Sequence, residues 1–132
     1  MKGTGMEDAV RISSFGIEVA DLDRSLAFYT EALGLTVTFT IDNDDLHEVG
    51  VSDGQGGPAV LLMRHKNSPA PAAGAKDQKL VFITTDVAAL HATAVASGAL
   101  SEREPTPYAG TDITIGMVRD PDGYLVEIIQ TS

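Results

Sequence analysis

The 132-residue chain contains no cysteine and no tryptophan, and aromatic residues make up only 5% of it. Without cysteine, disulfides, zinc–thiolate sites and thiol catalysis are excluded. No uninterrupted apolar run approaches the roughly 18 residues that predict a membrane-spanning helix. We therefore expect no membrane partner.

Basic residues are also few, with nine Lys and Arg against 19 Asp and Glu and a net charge of −10. Binding to a phosphate backbone requires clustered Lys and Arg, and here these residues are scattered. No nucleic-acid partner is expected. The N-terminal segment MKGTGMEDAV lacks the apolar core of a signal peptide, so the sequence predicts a cytoplasmic protein.

The stretch from Phe15 to Leu35 predicts a strand followed by a helix. Apolar residues alternate with small or polar ones up to Val19, which is typical of a half-buried strand. Asp21 has the short carboxylate of a helix N-cap. The apolar residues after it are spaced as one helical stripe (Leu22, Leu26, Tyr29 and Leu33). The predicted helix therefore packs its apolar face on the sheet.

The same strand–helix pattern recurs in the second half of the chain, from Leu80 through Asp86 to Gly98. Asp21 and Asp86 are 65 positions apart (86 − 21), about half of the 132 residues. A pattern repeated at half length indicates an internal duplication.

Further strand candidates complete each half, and a D-P-D-G turn at 120–123 predicts a hairpin near the C-terminus. The predicted order is βαβββ, linker, βαβββ, an α+β fold. The domain boundaries that follow are a loose N-terminal tail at 1–13 and a single domain at 14–132, divided into module one (14–65), a linker (66–78) and module two (79–132).

Two motifs, V-A-D-L-D-R-S-L-A-F-Y at 19–29 with L-G-L at 33–35 and D-P-D-G-Y-L-V-E at 120–127, resemble the vicinal oxygen chelate (VOC) superfamily. That group includes glyoxalase I, bleomycin-resistance proteins and extradiol dioxygenases. The resemblance covers residues 14–130. It implies two βαβββ modules in tandem whose curved mixed sheets enclose a cleft. Because members of the superfamily commonly pair, it also implies a homodimer.

Metal-dependent members of the superfamily place four ligands in the cleft, usually His, Gln or Glu. The resemblance assigns these positions to Ser14, Leu62, Leu80 and Glu127, of which only Glu127 is a usual ligand. A divalent ion requires three or four protein donors to compensate its dehydration. We therefore predict no metal and no cofactor, with a divalent metal as the alternative.

Side-chain alternation along the strands predicts a mostly apolar cleft, which is typical of a small-molecule site. The candidate ligand-binding residues are Ser14, Glu18, His47, Leu62, Arg64, Leu80, Phe82, Thr114 and Glu127. A buried, unpaired carboxylate is costly, so Glu127 is the best catalytic candidate. Its alternative role is a structural pair with Arg64.

Whether the chain is an enzyme is left open by its sequence. The first hypothesis is a metal-free protein that binds a small, partly apolar molecule, similar to the bleomycin-resistance branch. The second is a metal-dependent lyase resembling glyoxalase I, or a dioxygenase, with a displaced ligand set such as Glu127, Glu18 and His47. A metal-free acid–base enzyme that uses Glu127 is the third.

Overall fold

The computed structural model describes residues 9–131, which form two sheets of four strands and two helical regions. The first half contains β1 (Ser14–Glu18), α1 (Leu22–Ala27) with a π-helical turn at Phe28–Ala32, β2 (Thr36–Asp42), β3 (Leu46–Ser52) and β4 (Ala59–His65). The second half contains β5 (Lys79–Ile83), α2 (Val87–Ala96), β6 (Leu100–Pro107), β7 (Ile113–Arg119) and β8 (Leu125–Thr131).

Both sheets have the same topology. The strand orders are β1-β4-β3-β2 and β5-β8-β7-β6, and in each sheet the first strand pairs in parallel with the last one of its half. The predicted α+β fold of two tandem βαβββ modules is therefore confirmed, and the repeated topology agrees with an internal duplication.

Both helices begin at the aspartates that the sequence predicts. The side chain of Asp21 accepts a hydrogen bond from the Arg24 backbone N–H at 3.1 Å, and Asp86 accepts one from the Ala89 N–H at 3.0 Å. These bonds satisfy N–H groups that have no partner within a helix. The helices are thereby fixed at the ends of β1 and β5.

One hydrophobic core lies between the two modules. Its buried members come from β1, α1, the π-helical turn, β3 and β4 in module one, and from β5, α2, β7 and β8 in module two. Each sheet directs one face, its core face, into this cluster. We call the opposite side of each sheet its open face.

The hairpin turn of module two holds the modules together. Asp122 accepts hydrogen bonds from the Ala20 N–H (2.8 Å) and the Ser25 hydroxyl (3.0 Å), and Asp120 accepts one from the Tyr29 hydroxyl at 2.6 Å. These bonds join residues 91 to 102 positions apart in sequence. The D-P-D-G turn therefore shapes the hairpin and also binds module two to α1.

β6 contains two prolines, Pro105 and Pro107. This strand lies at the edge of its sheet and has two register irregularities against β7. An edge position tolerates Pro105 and Pro107, because a proline there removes no hydrogen bond from the interior of a sheet. The predicted N-terminal tail falls mainly on residues 1–8, which lie outside the described residues. No helix in residues 9–131 is long and apolar enough to cross a membrane.

Candidate functional site

An ion pair on the open face of the second sheet is the most prominent polar feature near the predicted site. The Lys79 ammonium nitrogen lies 3.3 Å from Oε1 of Glu127. Glu127 is only 8% exposed, and its register partners are Val81 on β5 and Met117 on β7. The carboxylate of the last strand is thus satisfied by Lys79, and the predicted pairing with Arg64 is wrong.

Two of the four positions inferred for metal ligands lie on the wrong face of their sheets. Leu62 is 0% exposed and Leu80 is 2% exposed, and both belong to the hydrophobic core. Alternation explains the error, because a shift of one residue moves a strand side chain to the opposite face. Ser14 pairs in register with Ala59, so the two side chains point to the same face of the first sheet. Leu61 lies two residues after Ala59 and therefore points to that face as well. Glu127 shares its face with Val81 and hence with Lys79.

The duplication identifies the correct set of positions. Ser14 lies seven residues before Asp21, and Lys79 lies seven residues before Asp86. The pairing of Ser14 with Ala59 in the first sheet corresponds to that of Lys79 with Leu125 in the second. Two residues further along each final strand lie Leu61 and Glu127. The four equivalent positions are therefore Ser14, Leu61, Lys79 and Glu127, and applying one spacing to both modules would have found Lys79 in the sequence.

Three further residues predicted to face the cleft do not do so. Phe82 packs with the core cluster, with its ring centroid 6.5 Å from that of Tyr29. Arg64 uses its guanidinium to donate to the backbone carbonyls of His65 and Ser68. Thr114 lies on the core face of β7, because its alternate neighbours Gly116 and Val118 pair with the buried strand residues of β8.

The displaced ligand set of Glu127, Glu18 and His47 is not brought together. Glu18 is on the open face of the first sheet and contacts Nδ1 of His65. His47 is on the other face of that sheet, since it adjoins Glu48 and alternates with buried Val49, and its Nε2 lies 4.0 Å from Asp42. Glu127 belongs to the second sheet. No group of three or more His, Cys, Asp or Glu in the described part of the chain is placed to hold a metal ion.

The donor chemistry therefore does not fit the metal site of the metal-dependent members. The four equivalent positions offer one hydroxyl, one aliphatic side chain, one ammonium and one carboxylate. An ammonium group has no lone pair for a metal and repels a cation, and Lys79 already neutralises Glu127. We derive no chemistry through a metal at this site.

An apolar cavity of about 580 Å³ opens between the modules. Its walls include Val51 and Val60 from module one and Leu80 and Phe82 from module two. Val81 also lines the cavity. This residue points to the open face and pairs in register with Glu127, so the cavity extends past the edge strand β5. Its volume and apolar walls, with a few polar groups from Ser52, Asp53 and Thr84, are typical of a small-molecule site.

Two tandem βαβββ modules, each with a helix-covered face and an open face, define a glyoxalase-type fold. The model of the Glyoxalase/Bleomycin resistance protein/Dioxygenase superfamily matches residues 11–128. The chain belongs to this superfamily, as the two sequence motifs predict.

Curated proteins that resemble the chain over most of its length are named as lactoylglutathione lyases. The chain is 31% identical over 124 residues to a probable lactoylglutathione lyase of Vibrio cholerae, covering 91% of this chain and 90% of that protein. It is 30% identical over 118 residues to the lactoylglutathione lyase of Haemophilus influenzae, covering 86% and 87%.

Solved structures give the same fold. Glyoxalase I from Zea mays matches with a TM-score of 0.76 and 26% identity over 92% of this chain and 45% of that one, so the chain spans about half the length of the maize protein. TnmS3, an antibiotic binding protein from Streptomyces, matches with a TM-score of 0.73 and 20% identity over 94% of this chain and 98% of that one. At this identity the second match shows the fold alone.

Proposed function

We propose that the protein binds a small, partly apolar organic molecule in the cavity between its modules, without the divalent metal of the metal-dependent members. The observation that carries this proposal is the Lys79–Glu127 ion pair. It puts an ammonium group at one of the four equivalent positions and neutralises the only carboxylate among them. Neither Ser14 nor Leu61 replaces the missing donors.

The cavity supports the same function. Apolar walls contributed by both modules provide the hydrophobic contact that dominates the binding of small molecules. Ser52, Asp53 and Thr84 supply the hydrogen-bonding groups of the cavity wall. A ligand with an apolar body and one polar end would match this arrangement.

The second candidate is a lactoylglutathione lyase, as the names of the Vibrio and Haemophilus relatives suggest. It is favoured by about 30% identity across nearly the whole length of those proteins. The four equivalent positions oppose it, because they do not supply a metal ligand set. The two candidates therefore differ in their dependence on metal.

A thermal-shift screen of uncharged aromatic and aliphatic compounds, performed in EDTA, tests the first candidate. A bound ligand stabilises the native state, so at least one compound should raise the melting temperature. Val81→Lys should reduce that shift by placing a charge at the cavity, whereas Val95→Lys, at an exposed position of α2 outside the cavity wall, should leave it unchanged. Lactoylglutathione formation that is abolished by EDTA would instead establish the second candidate.

We also propose that two copies of the chain associate as a homodimer. The open face of the second sheet exposes apolar side chains, including Val81 and Ile83, and Ile83 is 77% exposed. The open face of the first sheet carries Glu18 and Glu48. That of the second carries Arg103, which pairs in register with Met117, beside the Lys79–Glu127 pair, whose charges cancel. This charge complementarity favours contact between unlike open faces of two copies.

Light scattering coupled to size-exclusion chromatography tests this association. The dimer should have about twice the chain mass of 13.8 kDa. Ile83→Arg should convert it to monomer, whereas Val95→Arg, a matched change at an exposed position of α2, should not. A monomer of the unmodified protein at high concentration would contradict the proposal.

A further inference from the structure

A buried histidine on α2 lies between a serine and a glutamate of β6. His91 is only 4% exposed, and its Nε2 lies 2.9 Å from Oγ of Ser101. Its Nδ1 lies 3.8 Å from Oε2 of Glu104. One imidazole therefore contacts a hydroxyl through one ring nitrogen and approaches a carboxylate with the other. This is the order of groups in the serine–histidine–carboxylate triads of hydrolases.

The irregular register of β6 brings the serine and the glutamate to one side of the strand. Ser101 pairs in register with Val118, a core residue, so its hydroxyl points to the face of the second sheet that α2 covers. In a regular strand, residues three apart point to opposite faces. The two register shifts between Ser101 and Thr106 re-aim the later side chains, and Glu104 consequently also reaches His91.

Packing and charge orient the His91 ring for accepting a proton from Ser101. Gly116 on β7 leaves room for the ring, since a Cβ at that position would lie 3.3 Å from its Cδ2. The Glu104 carboxylate favours the tautomer with its proton on Nδ1, which leaves the lone pair of Nε2 for the hydroxyl. Oγ of Ser101 also lies 3.3 Å from Oε1 of Glu104, and the shorter distance to Nε2 favours donation to the imidazole.

A small substrate can reach the serine from solvent. Ser101 is exposed, whereas the imidazole behind it is buried. Because β6 is an edge strand, the N–H groups on its free side have no partner within the described sheet. Such donors can stabilise the negative oxygen that develops when a hydroxyl attacks a carbonyl. The site lies apart from the cavity between the modules and from the open faces of the two sheets.

We propose that Ser101 is the nucleophile of a second site, which hydrolyses small activated esters. Oγ of Ser101 forms a bond to the acyl carbon while Nε2 of His91 takes the hydroxyl proton. The bond between the acyl carbon and the leaving oxygen then breaks, and that oxygen receives the proton from His91. Water attacks the acyl group on Ser101 with His91 again as the base, which releases the carboxylic acid and restores the hydroxyl. Glu104 is a positioning residue, because it acts through His91.

Labelling with an alkyl fluorophosphonate tests the nucleophile directly. Oγ forms a bond to phosphorus, fluoride leaves, and His91 takes the hydroxyl proton, so the label remains on the serine. Mass spectrometry of the intact protein should show one adduct per chain, and peptide mapping should locate it on Ser101. Ser101→Ala should abolish the adduct, whereas Ser97→Ala, at an exposed position after α2, should keep it. His91→Gln should slow the labelling about a hundredfold or more, as the loss of a general base does.

Hydrolysis of p-nitrophenyl acetate gives a second measurement. Glu104→Gln should lower kcat with little change in KM, because Glu104 orients the imidazole without contacting the ester, and its melting temperature should match that of the wild type. Ser101→Ala should lower kcat/KM at least about tenfold. If His91→Gln does not fold, the position of the wild-type adduct and the Glu104→Gln kinetics decide. A wild type without an adduct on Ser101 would overturn the proposal, as would a folded His91→Gln variant that is labelled at the wild-type rate.

Discussion

Replacing Tyr29 with phenylalanine tests the hydrogen bond that joins the two modules. Tyr29 is fully buried and its hydroxyl donates to Oδ2 of Asp120 at 2.6 Å. Removal of the hydroxyl leaves that oxygen without its donor, while Oδ1 still accepts from the Asp122 and Tyr124 N–H groups. A hydrogen bond to a charged group contributes about 1.5–3 kcal/mol, so Tyr29→Phe should lower the free energy of unfolding by about that amount.

The effect should depend on pH in a specific direction. Burial and then the nearby Asp120 charge raise the pKa of Tyr29 well above its ordinary value of 10.0. When the pH rises above 10, the Tyr29 hydroxyl loses its proton in the unfolded chain before it does so in the folded protein. The stability contributed by Tyr29 is therefore present below pH 10 and is lost as the pH rises towards the pKa of the folded state. Tyr29→Phe should remove this alkaline loss.

At acid pH the same variant should be less damaging. Burial raises the pKa of Asp120, and the hydrogen bond from Tyr29 lowers it. Without Tyr29 that pKa rises further, so the variant loses more stability than the wild type as the pH increases through this range. The difference in unfolding free energy should therefore be smaller at about pH 4 than at about pH 7.

Urea denaturation followed by circular dichroism measures both effects, and the absence of tryptophan makes fluorescence less suitable. Tyr108→Phe, at an exposed position, provides the matched control and should change the unfolding free energy by less than about 0.5 kcal/mol. A Tyr29→Phe variant as stable as this control at neutral pH would refute the role of the hydrogen bond.

Two further predictions use matched pairs of substitutions. Leu62→Ala should lower the free energy of unfolding by about 2–5 kcal/mol, because it empties a fully buried site. Leu61→Ala, on the open face, should lower it clearly less. Equal losses in urea denaturation would refute the assignment of the two leucines to opposite faces. Gly123→Ala should destabilise more than Gly110→Ala. Both glycines have positive φ. Only at Gly123 would the new Cβ meet a backbone atom, the carbonyl oxygen of Gly74, at 2.0 Å. Similar melting temperatures for the two variants would contradict this close approach.

Local patterns in the sequence were sufficient to predict the fold. Asp21 and Asp86 mark the helix starts by chemistry that acts within a few residues, and the alternation of apolar side chains locates most strands. The repetition of both signals at half length then predicts two modules. Each of these features depends on near neighbours along the chain.

The faces of β4 and β5 could not be assigned by the same reasoning. β4 is apolar on both sides, so alternation alone does not distinguish Leu61 from Leu62. For β5, a six-residue spacing from Asp86 selected Leu80, although the seven-residue spacing of module one selects Lys79. The register between strands decides both cases, and that register is a property of the folded sheet. The partner of Tyr29 was likewise hidden, since Asp120 lies 91 positions away in sequence.

The most direct test of the proposed metal-free site is the metal content of the protein after incubation with excess Ni²⁺, Zn²⁺, Mn²⁺ or Fe²⁺ and removal of unbound ions. Because Lys79 occupies one of the four positions and pairs with Glu127, elemental analysis should find no stoichiometric metal in the wild type, and Glu127→Gln should make no difference. About one equivalent per chain that is lost in Glu127→Gln would contradict the account and identify Glu127 as a metal ligand.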